Sequence, residues 1–145
     1  MPNVGGPRNN STSSTSRKAA PRINEVDAAS STALSNLRDA LRRFVADRDW
    51  DQYHSPKNLA VALSVEAAEL LEPFQWLTDE SSQSLSPDQI AKVKEELADV
   101  FLYLIRLADK LDISLLTAAK EKMELNALRY PADKSRGSNK KHTEL

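Results

Sequence analysis

Two pairs of acidic residues are spaced so that together they could hold a divalent metal ion. Glu66 and Glu69 lie three positions apart, and Glu96 and Asp99 repeat that spacing further along the chain. Residues three apart on a helix lie on neighbouring turns of one face. In each stretch the first acid lies at the edge of an apolar stripe with helical spacing, and the second acid lies one turn further on, on the same side of the stripe. If the two stripes pack against each other, up to four carboxylates meet beside the core.

Four carboxylates in such proximity cannot all stay ionised without a cation. Two like unit charges at about 4 Å repel by several kcal/mol at an intermediate dielectric constant. A divalent cation removes this repulsion, and ligation by oxygen alone favours Mg²⁺, with Mn²⁺ as the alternative, over Zn²⁺. The competing interpretation is a solvated helix face, since glutamate is a good helix former. The repeated pattern by itself leaves both interpretations open.

Length and composition indicate a single all-α domain. The chain has 145 residues, and Ala, Leu, Glu and Lys dominate its middle, as is typical of helical proteins. The absence of cysteine excludes disulfides and thiolate metal sites and fits a reduced compartment. A net charge of −1 gives no basic field for a nucleic acid polymer, and no apolar run could span a membrane. We therefore expect a cytoplasmic protein, with a nuclear or organellar pool as the alternative.

The composition divides the chain into three segments. Residues 1–30 are rich in Pro, Gly, Asn, Ser and Thr and have too little apolar surface to offset the entropy of ordering. A transit peptide would share the Ser- and Arg-rich character, but no amphipathic face accompanies it. We predict a disordered tail over 1–30, a helical domain over 31–131, and a polar, basic and disordered tail over 132–145.

The first two of four predicted helices follow from apolar spacing and capping residues. Leucines, a phenylalanine and a valine at helical spacing predict a helix over 32–48. Ser55 is a good N-cap and Pro56 a good first helical residue for the second helix. Pro73 should interrupt that helix, because its ring clashes with the carbonyl group of Glu69.

The third and fourth helices have equally clear start signals. Ser86, a first-position proline and Gln89 form the pattern of a capping box, so the third helix should begin there and run to about residue 111. Ser114 is a plausible N-cap for a fourth helix over 115–129.

Aromatic and basic side chains near the acids are candidates for binding a nucleotide. Trp50 could stack on a planar base and His54 or Gln52 could read a polar edge, whereas the alternative for Trp50 is a cap on the core. Trp76 is a second stacking candidate, with a core aromatic as its alternative. Tyr103 and Arg106 continue the acidic side of the third helix, either as a salt-bridged edge or as part of a phosphate pocket.

The fourth helix presents Lys122, Asn126 and Arg129 at positions i, i+4 and i+7, on one face. A lysine, an amide and an arginine in line can hold polyphosphate oxygens. An ordinary exposed polar face is the competing interpretation.

Taken in order, these motifs resemble the all-α nucleoside triphosphate pyrophosphatases of the MazG-like superfamily, and among them the dCTP pyrophosphatase family. The resemblance covers residues 34–131, and the final KHTEL is also similar. It rests on the following motifs: DWDQYH at 49–54, EAAEL at 66–70, FQW at 74–76, EELADV at 95–100, KMELN at 122–126 and RYP at 129–131.

The resemblance implies an antiparallel four-helix bundle that assembles through helix faces into a homodimer or homotetramer. It also implies the Mg²⁺-dependent hydrolysis of a deoxynucleoside triphosphate, dCTP or a 5-modified dCTP, to the monophosphate and pyrophosphate. Such a reaction would remove unwanted nucleotides from the pool. The alternatives are a dUTP or broad dNTP preference, or a non-catalytic helical interaction protein with the same fold.

The resemblance also assigns roles to particular residues. The metal ligands would be Glu66, Glu69, Glu96 and Asp99. Either Glu66 or Glu69 would accept the proton of the attacking water. The phosphates would be steadied by Lys122, Asn126 and Arg129, and the base and sugar would lie near Trp50, His54, Trp76 and Tyr103. Pro73 departs from family members with a helix former there, which puts the geometry around Glu69 in question.

Overall fold

The computed structural model describes residues 28–144, which form helices and connecting loops without any strand. The helices are α1 (Ala28–Ala46), α2 (Pro56–Leu71), α3 (Pro87–Lys110), α4 (Leu115–Arg129) and α5 (Ala132–Ser135). Single turns of 3₁₀ helix occur at Asp51–Tyr53, Ser81–Gln83 and His142–Glu144. No helix within this range has the length and apolar character needed to cross a membrane. The predicted all-α class is confirmed.

The predicted capping residues start three of these helices. The side chains of Ser55 and Ser114 each accept a hydrogen bond from a backbone N–H three residues later. Ser86 and Gln89 form both halves of the capping box at the start of α3. The helix α2 ends at Leu71, two residues before Pro73, as the clash of a proline ring with the preceding turn predicts.

The structure differs from the sequence predictions at both ends of the helical domain. The helix α1 begins at Ala28, four residues before the predicted start, and residues 1–27 lie outside the described residues. At the other end we predicted disorder over 132–145. Instead, α5 follows α4, and the ring of His142 lies edge-on to Tyr130, with 5.6 Å between the ring centroids.

The core of the chain is formed by α1, α2 and α3. The helices α2 and α3 make the largest contact, and α1 packs on α3. Asp51, just before α2, pairs with Lys110 at the end of α3, whereas Glu66 in the middle of α2 meets Asp99, so these helices are antiparallel. The buried apolar residues are Val45, Leu59, Ile105 and Ala108. The helix α4 makes only smaller contacts, so one chain does not by itself complete a closely packed four-helix bundle.

The end of α1 fixes the aromatic loop over residues 49–54. Asp49 adopts a left-handed conformation with φ of 52°, the N–H of Trp50 donates to Val45 O at 3.1 Å, and the N–H of Asp49 donates to Ala46 O at 3.0 Å. These two bonds form a Schellman motif, in which the residue after the left-handed one packs back on the helix. Trp50 accordingly lies edge-on to Phe44, with ring centroids 5.9 Å apart.

Candidate metal and nucleotide site

The packing of α2 against α3 brings three of the four predicted metal ligands together. One carboxylate oxygen from each of Glu66, Glu96 and Asp99 lies within 4.8 Å of the other two. Glu69 is exposed and stands one turn further along α2. It is not a member of this group of three, although its charge acts on both glutamates. The expected convergence of the two acidic pairs is thus found for three residues, with the fourth beside them.

The electrostatics of this acid cluster are those of carboxylates without a counter-charge. Burial, together with the charges of Glu69, Asp99 and Glu96, raises the pKa of Glu66 above its ordinary value. Burial and the neighbouring acids likewise raise the pKa of Glu96. Among the described residues, no lysine or arginine forms an ion pair with any of the four acids. An oxygen-only donor set of this kind fits a hard divalent cation.

A cavity of about 280 Å³ opens beside the acid cluster, between α1, the aromatic loop and α3. Its lining residues are Leu41, Phe44, Val45, Trp50, His54, Asp99, Leu102, Tyr103 and Arg106. Three of the predicted base and sugar residues, Trp50, His54 and Tyr103, are therefore neighbours in the fold. Asp99 belongs both to the acid cluster and to the cavity wall, so the two parts of the site are continuous.

The contacts of Trp50 are compatible with both interpretations that the sequence left open. One edge of its ring packs against Phe44, but 44% of the residue surface is exposed. The guanidinium carbon of Arg48 lies 3.6 Å from the ring centroid of Phe44 and 5.9 Å from that of Trp50. This stack holds the tryptophan in place without burying it. Its free surface can therefore accept a planar ligand.

Arg106 is the centre of an ion network rather than part of an open phosphate pocket. It is 6% exposed, and its Nη1 donates to Asp109 at 2.8 Å. Its Nη2 donates to Asp51, which also accepts from the ammonium of Lys110 at 2.9 Å. Its Nε donates to Nδ1 of His54 at 3.4 Å. Of the two interpretations of Arg106, the salt-bridged edge is thus the correct one.

The network changes the protonation of its members in opposite directions. A hydrogen bond from Arg42, reinforced by Arg106, lowers the pKa of Asp109, and a hydrogen bond from Lys110 lowers the pKa of Asp51. Burial and the charge of Arg106 lower the pKa of His54 and so favour its neutral form. Because Nδ1 of His54 accepts a hydrogen bond, its proton is on Nε2.

Sequence spacing alone missed this network. Arg106 and Asp109 stand three positions apart on α3, which is a detectable signal for a helical ion pair. The contacts of Arg106 with Asp51 and His54 join positions more than fifty residues apart. No periodicity in the sequence indicates such long-range contacts.

Within one chain, the structure does not bring the remaining predicted substrate-binding residues to the site. Trp76 is 87% exposed and does not line the cavity, so its alternative as a core aromatic is wrong for the single chain. It follows the opposite end of α2 from Trp50, and the 16 residues of that helix span about 24 Å. The α4 residues Lys122, Asn126 and Arg129 are likewise exposed. They contact neither the acids nor the cavity among the described residues.

Comparison with known proteins places this site in a family. The MazG-like family model matches residues 61–145. Human dCTP pyrophosphatase 1 is 45% identical over 114 residues, which are 77% of this chain and 67% of the human protein. The bovine protein of the same name is 40% identical over 144 residues, or 98% of this chain and 80% of its own length.

A solved structure agrees with the sequence relatives. A pyrophosphatase from Archaeoglobus fulgidus superimposes with a TM-score of 0.66 at 44% identity, covering 68% of this chain and 93% of that protein. The family model matches more than half of the chain, and one relative aligns with nearly all of it. The chain therefore belongs to the MazG-like family.

Proposed function

We propose that this protein hydrolyses dCTP, and 5-modified forms of dCTP, to the monophosphate and pyrophosphate with Mg²⁺, and so cleans the nucleotide pool. Its class, a nucleoside triphosphate pyrophosphatase, follows from the family and from relatives named dCTP pyrophosphatase 1. The single observation that carries the proposal is the position of Asp99. This residue belongs to the acid cluster and also lines the cavity that holds Trp50 and His54. A metal-bound triphosphate and its base would therefore occupy adjoining spaces.

The acid cluster supplies the metal-binding half of the proposed site. Glu66, Glu96 and Asp99 would hold Mg²⁺ together with Glu69. When bound, the ion would neutralise charge on the triphosphate and lower the pKa of the attacking water. Mn²⁺ has the same preference for oxygen ligands and is the alternative ion.

The two glutamates of α2 differ in a way that favours one of them as the general base. Glu66 belongs to the group of three converging acids, whereas Glu69 stands outside it and is exposed. A carboxylate that is only loosely engaged by metal remains able to accept a proton from water. We therefore assign this role to Glu69, with Glu66 as the alternative.

The cavity supplies the base-binding half. The free surface of Trp50 would stack on the base, and the Nε2–H of His54 and the hydroxyl of Tyr103 would form hydrogen bonds. Stacking tolerates any planar base. A preference for cytosine over uracil would therefore need a polar group that reaches position 3 or 4 of the base, where the two pyrimidines differ.

We further propose that the active protein is a homodimer or homotetramer. Val61, Val65 and Leu71 of α2 are all exposed, and Leu128 of α4 is 79% exposed. Exposed apolar side chains that are neighbours on one helix, as Val61 and Val65 are, are a common feature of protein–protein interfaces. Assembly would cover it, and could bring Trp76 and the face of α4 that carries Lys122, Asn126 and Arg129 to the site of a second copy. Sedimentation of the purified protein tests the assembly, and a monomer at micromolar concentration would contradict it.

A substrate panel tests the proposed reaction. Wild-type protein and the Glu69→Gln variant would be incubated with each of the four dNTPs, dUTP and 5-methyl-dCTP in the presence of Mg²⁺. We expect release of pyrophosphate by the wild type, with the highest kcat/KM for dCTP or its methylated form, and almost none by the variant. Comparable values for dCTP and dUTP would favour the broader specificity. The panel would be repeated with Mn²⁺, and no pyrophosphate from any nucleotide with Mg²⁺ or with Mn²⁺ would favour a non-catalytic interaction protein.

Mg²⁺ binding separates the roles of the two glutamates. Glu69→Gln should keep most of the affinity for Mg²⁺ while losing hydrolysis, whereas Glu66→Gln should weaken the binding itself. Isothermal titration of both variants with MgCl₂ provides the comparison.

The location of the protein in the cell stays a prediction. We expect it in the cytoplasm, with a nuclear or organellar pool as the alternative, and cell fractionation or imaging would test this.

A further inference from the structure

Arg106 uses each part of its guanidinium group on a different partner. It donates to Asp109 on its own helix, to Asp51 in the aromatic loop and, through Nε, to Nδ1 of His54. The N–H groups of arginine form a rigid planar fork, so the orientation that satisfies two partners also fixes the direction of the third bond. Arg106 therefore joins α3 to the aromatic loop in a single geometry.

The bond to His54 determines which hydrogen-bonding group this residue has left for a ligand. Arg106 and Lys110 face it from α3 and Asp51 from the loop, while Asp99 and Tyr103 line the same cavity. With Nδ1 occupied as an acceptor, the neutral ring carries its proton on Nε2. The imidazole can then offer a donor to the cavity, but no acceptor.

We propose that Arg106 is a positioning residue for nucleotide recognition, because its bond to Nδ1 keeps His54 in the Nε2–H form that donates to an acceptor atom of the base. The inference rests on the proposed function, since the cavity must be the site of the base. A pyrimidine presents such an acceptor in its carbonyl oxygen O2. Without Arg106 the ring could rotate or take the other tautomer, and the donor would no longer be held in place.

The chain offers a matched pair of variants for the test. Arg106→Lys keeps the positive charge between Asp51 and Asp109 but lacks the planar fork, so it cannot keep all three bonds. Lys110→Gln removes the other cation that binds Asp51 and leaves the contact between Arg106 and His54 unchanged. Long-range ¹H–¹⁵N spectra report the tautomer of each histidine, and His142→Gln assigns the two sets of signals. Steady-state kinetics with dCTP report kcat and KM.

We expect the wild type and Lys110→Gln to show His54 as the Nε2–H tautomer, with KM values within about twofold of each other. For Arg106→Lys we expect a mixture of tautomers and a KM raised about three- to tenfold. A rise of this size corresponds to the loss of one well-placed hydrogen bond, and the change in kcat should be smaller. Far-ultraviolet circular dichroism of each variant confirms that it is folded.

Three results would overturn the role of Arg106. The first is an Nδ1–H or exchanging tautomer in the wild type, which needs no variant and decides the matter even if Arg106→Lys does not fold. The second is an Arg106→Lys variant with unchanged tautomer and KM. The third is an equal rise in KM for Lys110→Gln, because anchoring of the loop would then be sufficient. Wild-type protein that hydrolyses no nucleotide would instead defeat the proposed function, and the spectra separate these two failures.

Discussion

Two charged pairs on α3 have the same spacing and opposite physical behaviour. Glu96 and Asp99 stand three positions apart, and so do Arg106 and Asp109 further along the helix. The first pair meets another acid, Glu66 from α2, and has no cation among the described residues. The second pair carries its own cation and adds bonds to the aromatic loop. The same helical spacing thus gives a cluster of unpaired acids, the proposed metal site, in one place and a structural ion network in the other.

The direction of the pKa shifts distinguishes a candidate metal site from a structural ion pair. In the acid cluster, burial and like charges raise the pKa values of Glu66 and Glu96, so the ionised form is disfavoured until a cation binds. In the network around Arg106, hydrogen bonds from cations lower the pKa values of Asp51 and Asp109. Neutralising an acid should therefore remove function without harming stability in the first group, and should reduce stability in the second.

The largest expected effect is on activity, from Asp99→Asn in the acid cluster. Loss of this proposed ligand should lower kcat/KM for dCTP by on the order of a hundredfold to a thousandfold, because a bound metal would no longer be held to compensate the charge of the triphosphate. The free energy of unfolding without metal should be unchanged or higher, since one repulsive charge is removed. Kinetics and urea unfolding measure the two quantities.

Glu95→Gln is the matched control for Asp99→Asn. It neutralises an exposed acid on the same helix that lies outside the group of three. Its activity should stay within a few-fold of the wild type. An equal loss of activity in both variants would mean that the general negative field of α3, rather than a defined metal site, supports the reaction.

The counterpart in the ion network is Asp109→Asn. The side chain of Asp109 is 6% exposed, and it accepts from Arg106 at 2.8 Å and from Arg42 at 3.0 Å. Removing its charge leaves a buried guanidinium with less compensation, which should lower the free energy of unfolding by about 3 kcal/mol. Urea unfolding at matched protein concentration measures this, with Mg²⁺ absent from every sample.

Asp39→Asn is the control for this second variant. Asp39 pairs with Arg38 and Arg42 at the surface, where an ion pair contributes at most about 1 kcal/mol. If Asp109→Asn proved no more destabilising than Asp39→Asn, the network would be a set of independent surface pairs, and the contrast with the acid cluster would fail.

The pH dependence of stability sharpens the comparison further. The pKa of Glu66 in the folded protein lies above its ordinary value of 4.5. The free energy of unfolding therefore falls as pH rises from 4.5 through the folded pKa. Glu66→Gln removes this decrease. Without metal, the variant and the wild type should be equally stable near pH 4.5, and the variant should be the more stable at pH 7. Saturating Mg²⁺ should reverse the order at pH 7, because it binds the wild type more tightly.

The aspartates of the ion network should respond in the opposite direction. Their folded pKa values lie below the ordinary 3.8, so their stabilisation is complete above that pH and is lost as pH falls through the folded values. Below pH 3.8 the wild type should therefore lose stability faster than Asp109→Asn. Thermal melting across this range provides the check, and parallel curves for the two proteins would contradict the assignment.

Much of the fold could be predicted because the information was local. Serine caps, first-position prolines and apolar spacing determine where α2, α3 and α4 begin, since each acts within one or two helical turns. The convergence of Glu66 with Glu96 and Asp99 also followed, because each acid has the same relation to its own apolar stripe. In both cases neighbouring residues carry the signal.

What could not be predicted depends on contacts that the sequence does not encode locally. The bonds of Arg106 to Asp51 and His54 require the aromatic loop to turn back on α3. That turn depends on the left-handed conformation of Asp49. Glycine is the residue that usually indicates such a position in a sequence, and here an aspartate occupies it. The exposure of Trp76 could not be predicted either, because apolar spacing does not distinguish an aromatic residue that packs in the core from one that stays exposed on the single chain.

The smallest expected effect separates charge from backbone conformation at the edge of the ion network. Asp112 adopts φ of 55° at the end of α3, and the N–H of Ile113 donates to Ala108 O at 2.9 Å, so this helix also ends in a Schellman motif. The charge of Asp112 acts on Arg42 across exposed surface, where it is worth little. Its backbone matters more, because a left-handed residue other than glycine carries a steric cost.

Asp112→Gly should therefore raise the free energy of unfolding by about 0.5–1 kcal/mol. Asp112→Asn keeps the left-handed tendency and loses the charge, and it should change the free energy of unfolding by less than about 0.5 kcal/mol. If the asparagine variant were as destabilising as Asp109→Asn, the stabilising charges would extend to the exposed rim and would not be confined to the buried contacts of Arg106.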